Sequence, residues 1–156
     1  MGRPCTLRPQ LRRDSLGGAR ELHGLPGPVP KRSLKLSARI PPYQAPRNAW
    51  RRRIHQAVVE AKARRDISYR PTDRLEVHVR LYMSSGALTS NDVDNRLKDV
   101  LDALQGRAGG SKRAPTLPPI IPNDRQVYRV VVEKGPAPKQ SRGLGHLTIR
   151  RLAGRA

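Results

Sequence analysis

The sequence predicts a small α+β domain in which two main helices pack on one mixed β-sheet. Two segments of strictly alternating apolar and polar residues, 34–40 and 75–83, indicate half-buried strands. Two further segments, about 47–64 and 93–105, carry apolar residues at helical spacing and indicate amphipathic helices. Because strands and helices alternate and two more strands follow, we expect one sheet covered by helices.

The first 32 residues differ in composition from the rest of the chain. Arg, Pro and Gly are scattered through them without an apolar period, as in Gly17-Gly18 and the run from Gly24 to Pro28. Such a segment buries too little apolar surface to offset its ordering entropy. We therefore expect a disordered basic tail at 1–32 and a folded domain at 33–156.

The first strand and the first helix follow directly after this tail. Pro41-Pro42 ends the alternation of the strand. The helix, from about Arg47 to Arg64, has one apolar stripe at offsets of 0, 4, 7, 8 and 11 residues. The members of the stripe are Trp50, Ile54, Ala57, Val58 and Ala61. Since Trp50 belongs to this stripe, we expect it in the core and not as a platform for base stacking.

The second helix, from about Val93 to Gln105, has an apolar side and a polar side. At about 100° per residue its apolar residues share one face, which we expect to pack on the sheet. They are Val93, Leu97, Val100, Leu101 and Leu104. The opposite face carries Asp94, Asn95, Lys98 and Asp102. Asp99 lies off this polar stripe, and we expect it in solvent.

The remaining segments connect the elements and complete the sheet. Ser84-Ser85-Gly86 begins a polar loop after the second strand, and Gly106 stands where a helix stop belongs. The next loop, about 17 residues to Pro122, is longer than a simple connection, so we expect it to be mobile and to contact a substrate. Asn123-Asp124 then makes a turn into a strand at 126–134, and a last strand is expected at 146–152.

The charge balance is the most unusual property of the composition. The chain has 32 Lys and Arg against 12 Asp and Glu, a formal net charge of +20. Such a charge favours a polyanionic partner, above all nucleic acid. Four of the 12 acids nevertheless fall between residues 92 and 102. Carboxylates facing phosphates repel them unless a divalent cation lies between, so this combination indicates a metal-dependent enzyme acting on nucleic acid.

Other kinds of site are disfavoured by residue type and spacing. The single Cys5 excludes an internal disulfide, and the four scattered His disfavour a zinc site. No apolar run suits a bilayer span or a signal peptide, so we expect a cytoplasmic protein without membrane contact. The alternative interpretation of the acidic cluster is Asp92 as an ordinary helix cap, with surface ion pairs along the helix.

One motif in the acidic region is longer and more specific than a chance spacing. The segment Asp92–Leu104 has the pattern D-x-D-N-x-x-K-x-x-x-D-A-L, and Asn123–Gln126 has the pattern N-D-x-Q after a variable loop. Together these motifs resemble the RusA family of Holliday junction resolvases. The resemblance covers about residues 33 to 134 and includes the opening strand and the arginine-rich helix.

The resemblance implies a RusA-like fold and a small, homodimeric, magnesium-dependent endonuclease of DNA recombination and repair. It implies that Asp92, Asp94 and Asp124 are the catalytic carboxylates and bind Mg²⁺, with Mn²⁺ as the alternative ion. It also implies that Lys98 is the catalytic lysine. Mg²⁺ prefers oxygen ligands and is commonly held by a few carboxylates together with substrate phosphate oxygens, which suits this set.

Residues around the motif complete the expected site. Asn95 is suited to hydrogen bonding around the metal ligands or to a phosphate contact. Asp102 follows Lys98 by four residues and is expected to hold that lysine in place. Arginines of the first helix and cations of the long loop are the expected DNA contacts, with a solvated face as the alternative for the helix. These residues are Arg47, Arg51, Arg52, Arg53, Lys112 and Arg113.

The expected function is the resolution of four-way DNA junctions by a homodimer that associates with the nucleoid when bound to DNA. Symmetric cutting of two strands needs two active sites related by a two-fold axis, which one site per small chain supplies only in a dimer. A nuclease for flaps or other branched DNA is the alternative enzyme. A non-catalytic basic nucleic-acid-binding protein is the alternative from another class, but it leaves the clustered acids unexplained.

Overall fold

One mixed four-stranded sheet forms the centre of the computed structural model, which describes residues 34–109 and 116–152. Its strands are β1 (Lys35–Ile40), β2 (Leu75–Met83), β3 (Val127–Pro136) and β4 (Gly145–Arg151). Their order in the sheet is β1-β4-β2-β3. β4 pairs antiparallel with β1 and β2, whereas β2 and β3 are parallel, so β1 and β3 lie at the two edges.

Within the described ranges, three α-helices accompany the sheet: α1 (Arg47–Ala63), α2 (Ser85–Ser90) and α3 (Val93–Leu104). The predictions of α1 and α3 are confirmed to within one residue at each end. The prediction of a polar loop after β2 was wrong, because α2 occupies most of it. Ser and Gly are weak helix formers, and packing of Ala87 and Leu88 against the core gives this short helix its support.

Alternation along the strands divides the sheet into an apolar and a polar face. The apolar face carries the inward side chains of β1, β2 and β4 and packs with α1 and α3 in one core. Trp50 is fully buried and donates a hydrogen bond from Nε1 to the carbonyl oxygen of Pro41 at 2.9 Å. Its ring also meets Tyr43 edge-on, with centroids 5.1 Å apart, so the prediction that Trp50 belongs to the core is confirmed.

The end of α3 is fixed by Gly106, as expected for a helix stop. Gly106 has φ of 75°, and a Cβ there would lie 2.0 Å from the carbonyl oxygen of Leu117. Only glycine fits both the conformation and the close approach. The described end of the long loop is anchored, since Ile120 and Ile121 are buried in the core. Residues 110–115, with Lys112 and Arg113, lie outside the described residues.

Two other expectations concern the termini and the membrane. The predicted tail at 1–32 lies outside the described residues. In the described part of the chain, no helix has the length and apolar character needed to cross a membrane.

Candidate functional site

The acidic motif lies at the N-terminal end of α3. Asp92 is the N-cap residue, and its exposed side chain accepts no capping hydrogen bond. Asp94 lies exposed in the first turn, followed by the exposed Asn95, and Lys98 is exposed one turn later. The positive end of the helix dipole favours ionised carboxylates at this position. Four polar groups of the predicted site are therefore presented to solvent from one end of one helix.

Asp99 overturns the prediction that it lies in solvent, because its side chain is fully buried. Its Oδ1 accepts hydrogen bonds from Arg47 Nη2 and Arg51 Nη2, each at 2.7 Å. Its Oδ1 also accepts from Nε of both arginines at 2.9 Å, and its Oδ2 accepts from Arg96 Nη1 at 3.2 Å. The reason lies in the packing of α1 against α3, which covers the side of α3 that carries Asp99 and supplies two of the three cations.

Asp102 has a different partner from the one expected. Its Oδ2 forms an ion pair with Arg51 Nη2 at 2.9 Å, so Asp102 connects α3 with α1. Arg51 is only 14% exposed and thus contacts both Asp99 and Asp102 from a largely buried position. Because these pairs are shielded from water, loss of one partner would leave a buried charge uncompensated, which is strongly destabilising. Lys98 itself is exposed to solvent.

The other arginines of α1 also contact the protein itself. Arg52 Nη1 donates to the carbonyl oxygen of Ala108 at 2.9 Å, and Arg53 Nη1 donates to Gln44 Oε1 at 2.6 Å. Arg47 is bound to Asp99 although it remains about half exposed, and this pairing raises the pKa of Arg47. The arginines on the basic side of α1 therefore bind neighbouring segments of the protein. Neither of the two sequence-based interpretations, contact with DNA or a solvated face, included these intramolecular contacts.

Asp124 is presented by a separate short element. It begins a 3-10 turn, Asp124–Gln126, that Asn123 caps by accepting a hydrogen bond from the backbone N–H of Arg125 at 2.9 Å. The buried Gln126 side chain accepts from the backbone N–H of Asn123 at 3.0 Å and donates to the carbonyl oxygen of Arg70 at 3.1 Å. The polar residues on either side thus fix the turn and leave Asp124 exposed.

The two parts of the predicted carboxylate set lie near opposite ends of α3. The backbone N–H of Ile120 donates to the carbonyl oxygen of Leu104, so the segment leading to Asp124 starts at the C-terminal end. At the other end, Lys134 Nζ donates to the carbonyl oxygen of Asn91 at 2.8 Å, beside Asp92. A helix as long as α3 spans about 18 Å.

A complete metal centre is correspondingly missing from the described part of a single chain. There, no three His, Cys, Asp or Glu side chains come together in a group that holds a metal ion. Asp92 and Asp94 share one end of α3, whereas Asp124 is remote from them. Two carboxylates with phosphate oxygens remain a suitable ligand set for Mg²⁺.

The polar face of the sheet is a basic surface that sequence reasoning missed. The exposed cations on this face come from all four strands. They are Lys35 and Arg39 on β1, Arg80 on β2, Arg129 on β3 and Arg150 on β4. The alternation of β1 and β2 could have predicted this basic surface, because every second residue there is polar and several of these are cationic. We call these five residues the basic sheet face.

A buried carboxylate orders part of the basic sheet face. Glu76 on β2 is fully buried and binds Arg150 Nε, His78 Nε2 at 2.6 Å and Arg129 Nε at 3.3 Å. The hydrogen bond from Arg150 is the main cause that lowers the pKa of Glu76 to about 2, against the opposing effect of burial. Glu76 therefore stays ionised at neutral pH, and Arg150 and Arg129 both contact this one carboxylate.

Aromatic groups lie among the remaining cations of the basic sheet face. The guanidinium of Arg80 lies 5.9 Å from the ring centroid of Tyr82, and Tyr82 meets the His146 ring edge-on with centroids 5.8 Å apart. Arg39 Nη1 is within 2.7 Å of His146 Nε2. Burial and the nearby guanidinium of Arg39 lower the pKa of His146, which favours its neutral form. Cations interleaved with aromatic rings are typical of surfaces that bind nucleic acid.

Comparison with known proteins adds no relative to this picture. No protein-family model matches the chain, and a search of curated proteins gave no match. The resemblance of the acidic motif to RusA resolvases therefore stays a prediction.

Proposed function

We propose that the chain is a magnesium-dependent endonuclease that cuts branched DNA, with four-way junctions as its main substrate. The observation that carries this proposal is the exposed acidic end of α3. There Asp92 and Asp94 point to solvent beside Lys98, on a chain whose net charge is +20. Exposed carboxylates repel the phosphates of a polyanion unless a divalent cation lies between, so this acidic end suits metal-dependent chemistry better than binding alone.

Each polar group at this end has a role that suits phosphodiester hydrolysis. The carboxylates of Asp92 and Asp94 would hold Mg²⁺, which supplies Lewis-acid activation of a scissile phosphate and of water. The ammonium group of Lys98 would stabilise negative charge that develops on the phosphate oxygens. The Asn95 amide would donate a hydrogen bond to a phosphate oxygen or to a metal ligand. The ion pairs of Asp99 and Asp102 with Arg51 connect α3 to α1 beside these side chains.

A homodimer belongs to the same proposal. Resolution of a four-way junction requires two symmetric cuts, and a two-fold dimer supplies two equivalent sites. The separation of Asp124 from Asp92 within one chain supports a dimer as well, because a second chain is a source for the missing carboxylate. Of the three proposed carboxylate ligands, Asp124 is therefore the one whose contribution to the metal site requires the dimer.

A non-catalytic nucleic-acid-binding protein is the second candidate, and the basic sheet face favours it. Five exposed cations on one face of the sheet suit phosphate contacts without any metal. A nuclease preferring flaps or other branched DNA uses the same groups as a junction resolvase and differs only in substrate shape. Cleavage assays separate all three candidates.

The test is Mg²⁺-dependent cleavage of a synthetic four-way junction, compared with a flap and a plain duplex of matched sequence. We expect cleavage of the junction and loss of cleavage in Asp92→Asn and Asp94→Asn, with junction binding retained or tightened, because less negative charge faces the phosphates. Asp66→Asn is the matched control, since Asp66 is exposed at φ of 48°, which Asn tolerates. Tight binding of the unmodified chain without cleavage under any divalent ion would favour the non-catalytic candidate.

A further inference from the structure

One row across the polar face of the sheet consists of two arginines with a histidine between them. His146 of β4 is paired in register with Arg39 of β1 on one side and with Arg80 of β2 on the other. All three residues are exposed. Since neighbouring strands lie about 4.8 Å apart, the backbones of the two arginines are separated by about 10 Å. We call these three residues the arginine–histidine row.

The positive charge of this row has no carboxylate partner in the described part of the chain. Arg129 and Arg150 are paired with Glu76, whereas neither Arg39 nor Arg80 takes part in an ion pair with a described residue. Two unpaired guanidinium groups on either side of one position create a positive potential there. An anion at that position would meet planar donor forks, whose geometry suits phosphate oxygens.

His146 is kept neutral by its surroundings when no anion is bound. Arg39 Nη1 lies 2.7 Å from His146 Nε2, and an arginine N–H only donates, so this imidazole nitrogen accepts and carries no proton. Burial and the positive charges of Arg39 and Arg80 lower the pKa of His146. A phosphate in the row would reverse this preference, because its oxygens accept from guanidinium and imidazolium alike and its charge reduces the repulsion among the three groups.

The other polar groups around His146 do not supply this negative charge. Tyr82 of β2 meets the imidazole ring edge-on with centroids 5.8 Å apart, and its phenol is a neutral group. His78 of β2 is in register with Thr148, two residues along β4 from His146, and is bound to the buried carboxylate in the next row. Glu133 is in register with Arg80 but belongs to β3, which lies two strands away from β4.

We propose that Arg39, His146 and Arg80 form a binding site for a phosphate group of a nucleic-acid strand. A second pair of cations favours a strand over free phosphate as the ligand. Lys35 and Arg150 face each other in register four residues further along β1 and β4, which is about 13 Å away. A phosphodiester backbone that runs along β4 therefore meets cations at both ends of its path, whereas a single free phosphate uses only one of them.

This site is separate from the acidic end of α3. The row belongs to the polar face of the sheet, whereas α1 and α3 pack on the apolar face. The site consequently binds a strand whether or not the acidic end of α3 cleaves DNA.

Proton uptake gives the binding a defined dependence on pH. Without an anion the lowered pKa of His146 leaves the imidazole neutral at neutral pH. The bound phosphate favours the imidazolium form and raises that pKa, so a proton is taken up with the ligand between the two pKa values. Affinity for the strand should therefore rise as the pH falls through this interval and become constant below the pKa of the free site.

Binding measured against pH tests the role of His146. The probe is a rhodamine-labelled oligothymidylate, because thymine does not titrate in this range, and the readout is fluorescence anisotropy at constant ionic strength without divalent ions. For the unmodified chain we expect about tenfold tighter binding at about pH 5.5 than at about pH 8. His146→Gln retains a hydrogen-bond donor but takes up no proton, so it should lose most of this difference.

His78→Gln is the matched control, because it removes a histidine from the neighbouring row of the same face. This variant should keep the pH dependence of the unmodified chain. Arg39→Gln should weaken binding at both ends of the pH range, since a guanidinium is charged throughout. Full pH dependence in His146→Gln, or its loss in His78→Gln, would overturn the proposed site.

Nuclear magnetic resonance of the imidazole Cε1–H observes the proton directly. The His146 signal is assigned by its absence in His146→Gln, and its titration midpoint should rise when the oligonucleotide is added, as linkage requires. An unchanged midpoint at saturating oligonucleotide would overturn the site. Inorganic phosphate at equal ionic strength should raise the midpoint only at concentrations far above those of the oligonucleotide. Equal potency per phosphate group would identify free phosphate as the ligand and overturn the assignment to a strand.

Discussion

Replacement of Asp99 by Asn should destabilise the fold far more than its place on a polar helix suggests. Asp99 is fully buried and accepts hydrogen bonds from Arg47, Arg51 and Arg96 at 2.7–3.2 Å. The substitution keeps the side-chain shape but removes the negative charge. It also places an amide N–H₂ group, a donor, opposite one of the guanidinium donors.

The magnitude follows from what remains after the charge is lost. Arg51 and Arg96 are 14% and 13% exposed, so their guanidinium groups have little access to water. Removing one partner of a buried ionic network costs about 3–5 kcal/mol. Arg51 keeps Asp102, and Arg47 is 48% exposed and gains hydration, so the lower end of that range applies. We expect a loss of about 3 kcal/mol in the free energy of unfolding.

Urea denaturation followed by circular dichroism measures this loss. Asp92→Asn is the matched control, because Asp92 lies on the same helix, is exposed and caps nothing. We expect the control to change the free energy of unfolding by less than about 0.5 kcal/mol. Equal midpoints for the two variants would refute the conclusion that the buried carboxylate holds α1 against α3. An Asp99→Asn variant that fails to express as folded protein agrees with a large loss.

Three further outcomes are expected. Glu76→Gln should lower the free energy of unfolding at neutral pH. The difference from the unmodified chain should shrink as the pH falls from 4.5 toward about 2, because the contribution of the carboxylate with its lowered pKa is lost over that interval. Denaturation at several pH values measures it, and a constant difference would contradict it. The double variant Arg39→Gln, Arg80→Gln should bind duplex DNA more weakly, and the magnitude of the slope of log affinity against log salt concentration should fall by about two. Lys139→Gln removes one exposed charge away from this face and is the control, with a small expected effect. Lys98→Ala should reduce kcat roughly 100-fold without changing the Mg²⁺ requirement, and a change in that requirement alone would refute the assigned role.

Local periodicity determined most of the secondary structure of this chain. Backbone geometry gives strands a side-chain period of two and helices a period of 3.6. When one side of an element is buried, apolar residues recur in the sequence with that period. The alternation over 75–83 and the stripe beginning at Trp50 were therefore sufficient to locate β2 and α1. Helix α2 was not predicted, because its six residues are rich in Ser and Gly and are too few to show a helical period.

The sequence by itself thus determined the α+β class, the places of the four strands and of helices α1 and α3, and the exposure of Asp92 and Asp94. Only the tertiary structure decided that Asp99 is buried, because its partner Arg47 is 52 positions away in the chain. Strand order is equally non-local. It brings the cations of the basic sheet face together and places β3 at an edge among the described strands. Asp124 illustrates the difference most clearly. The motif resemblance groups it with Asp92 and Asp94 in one predicted site, whereas the path of the chain along α3 and β3 separates it from them. Periodicity records what each residue meets within its own element, and contacts between elements depend on packing that no local period encodes.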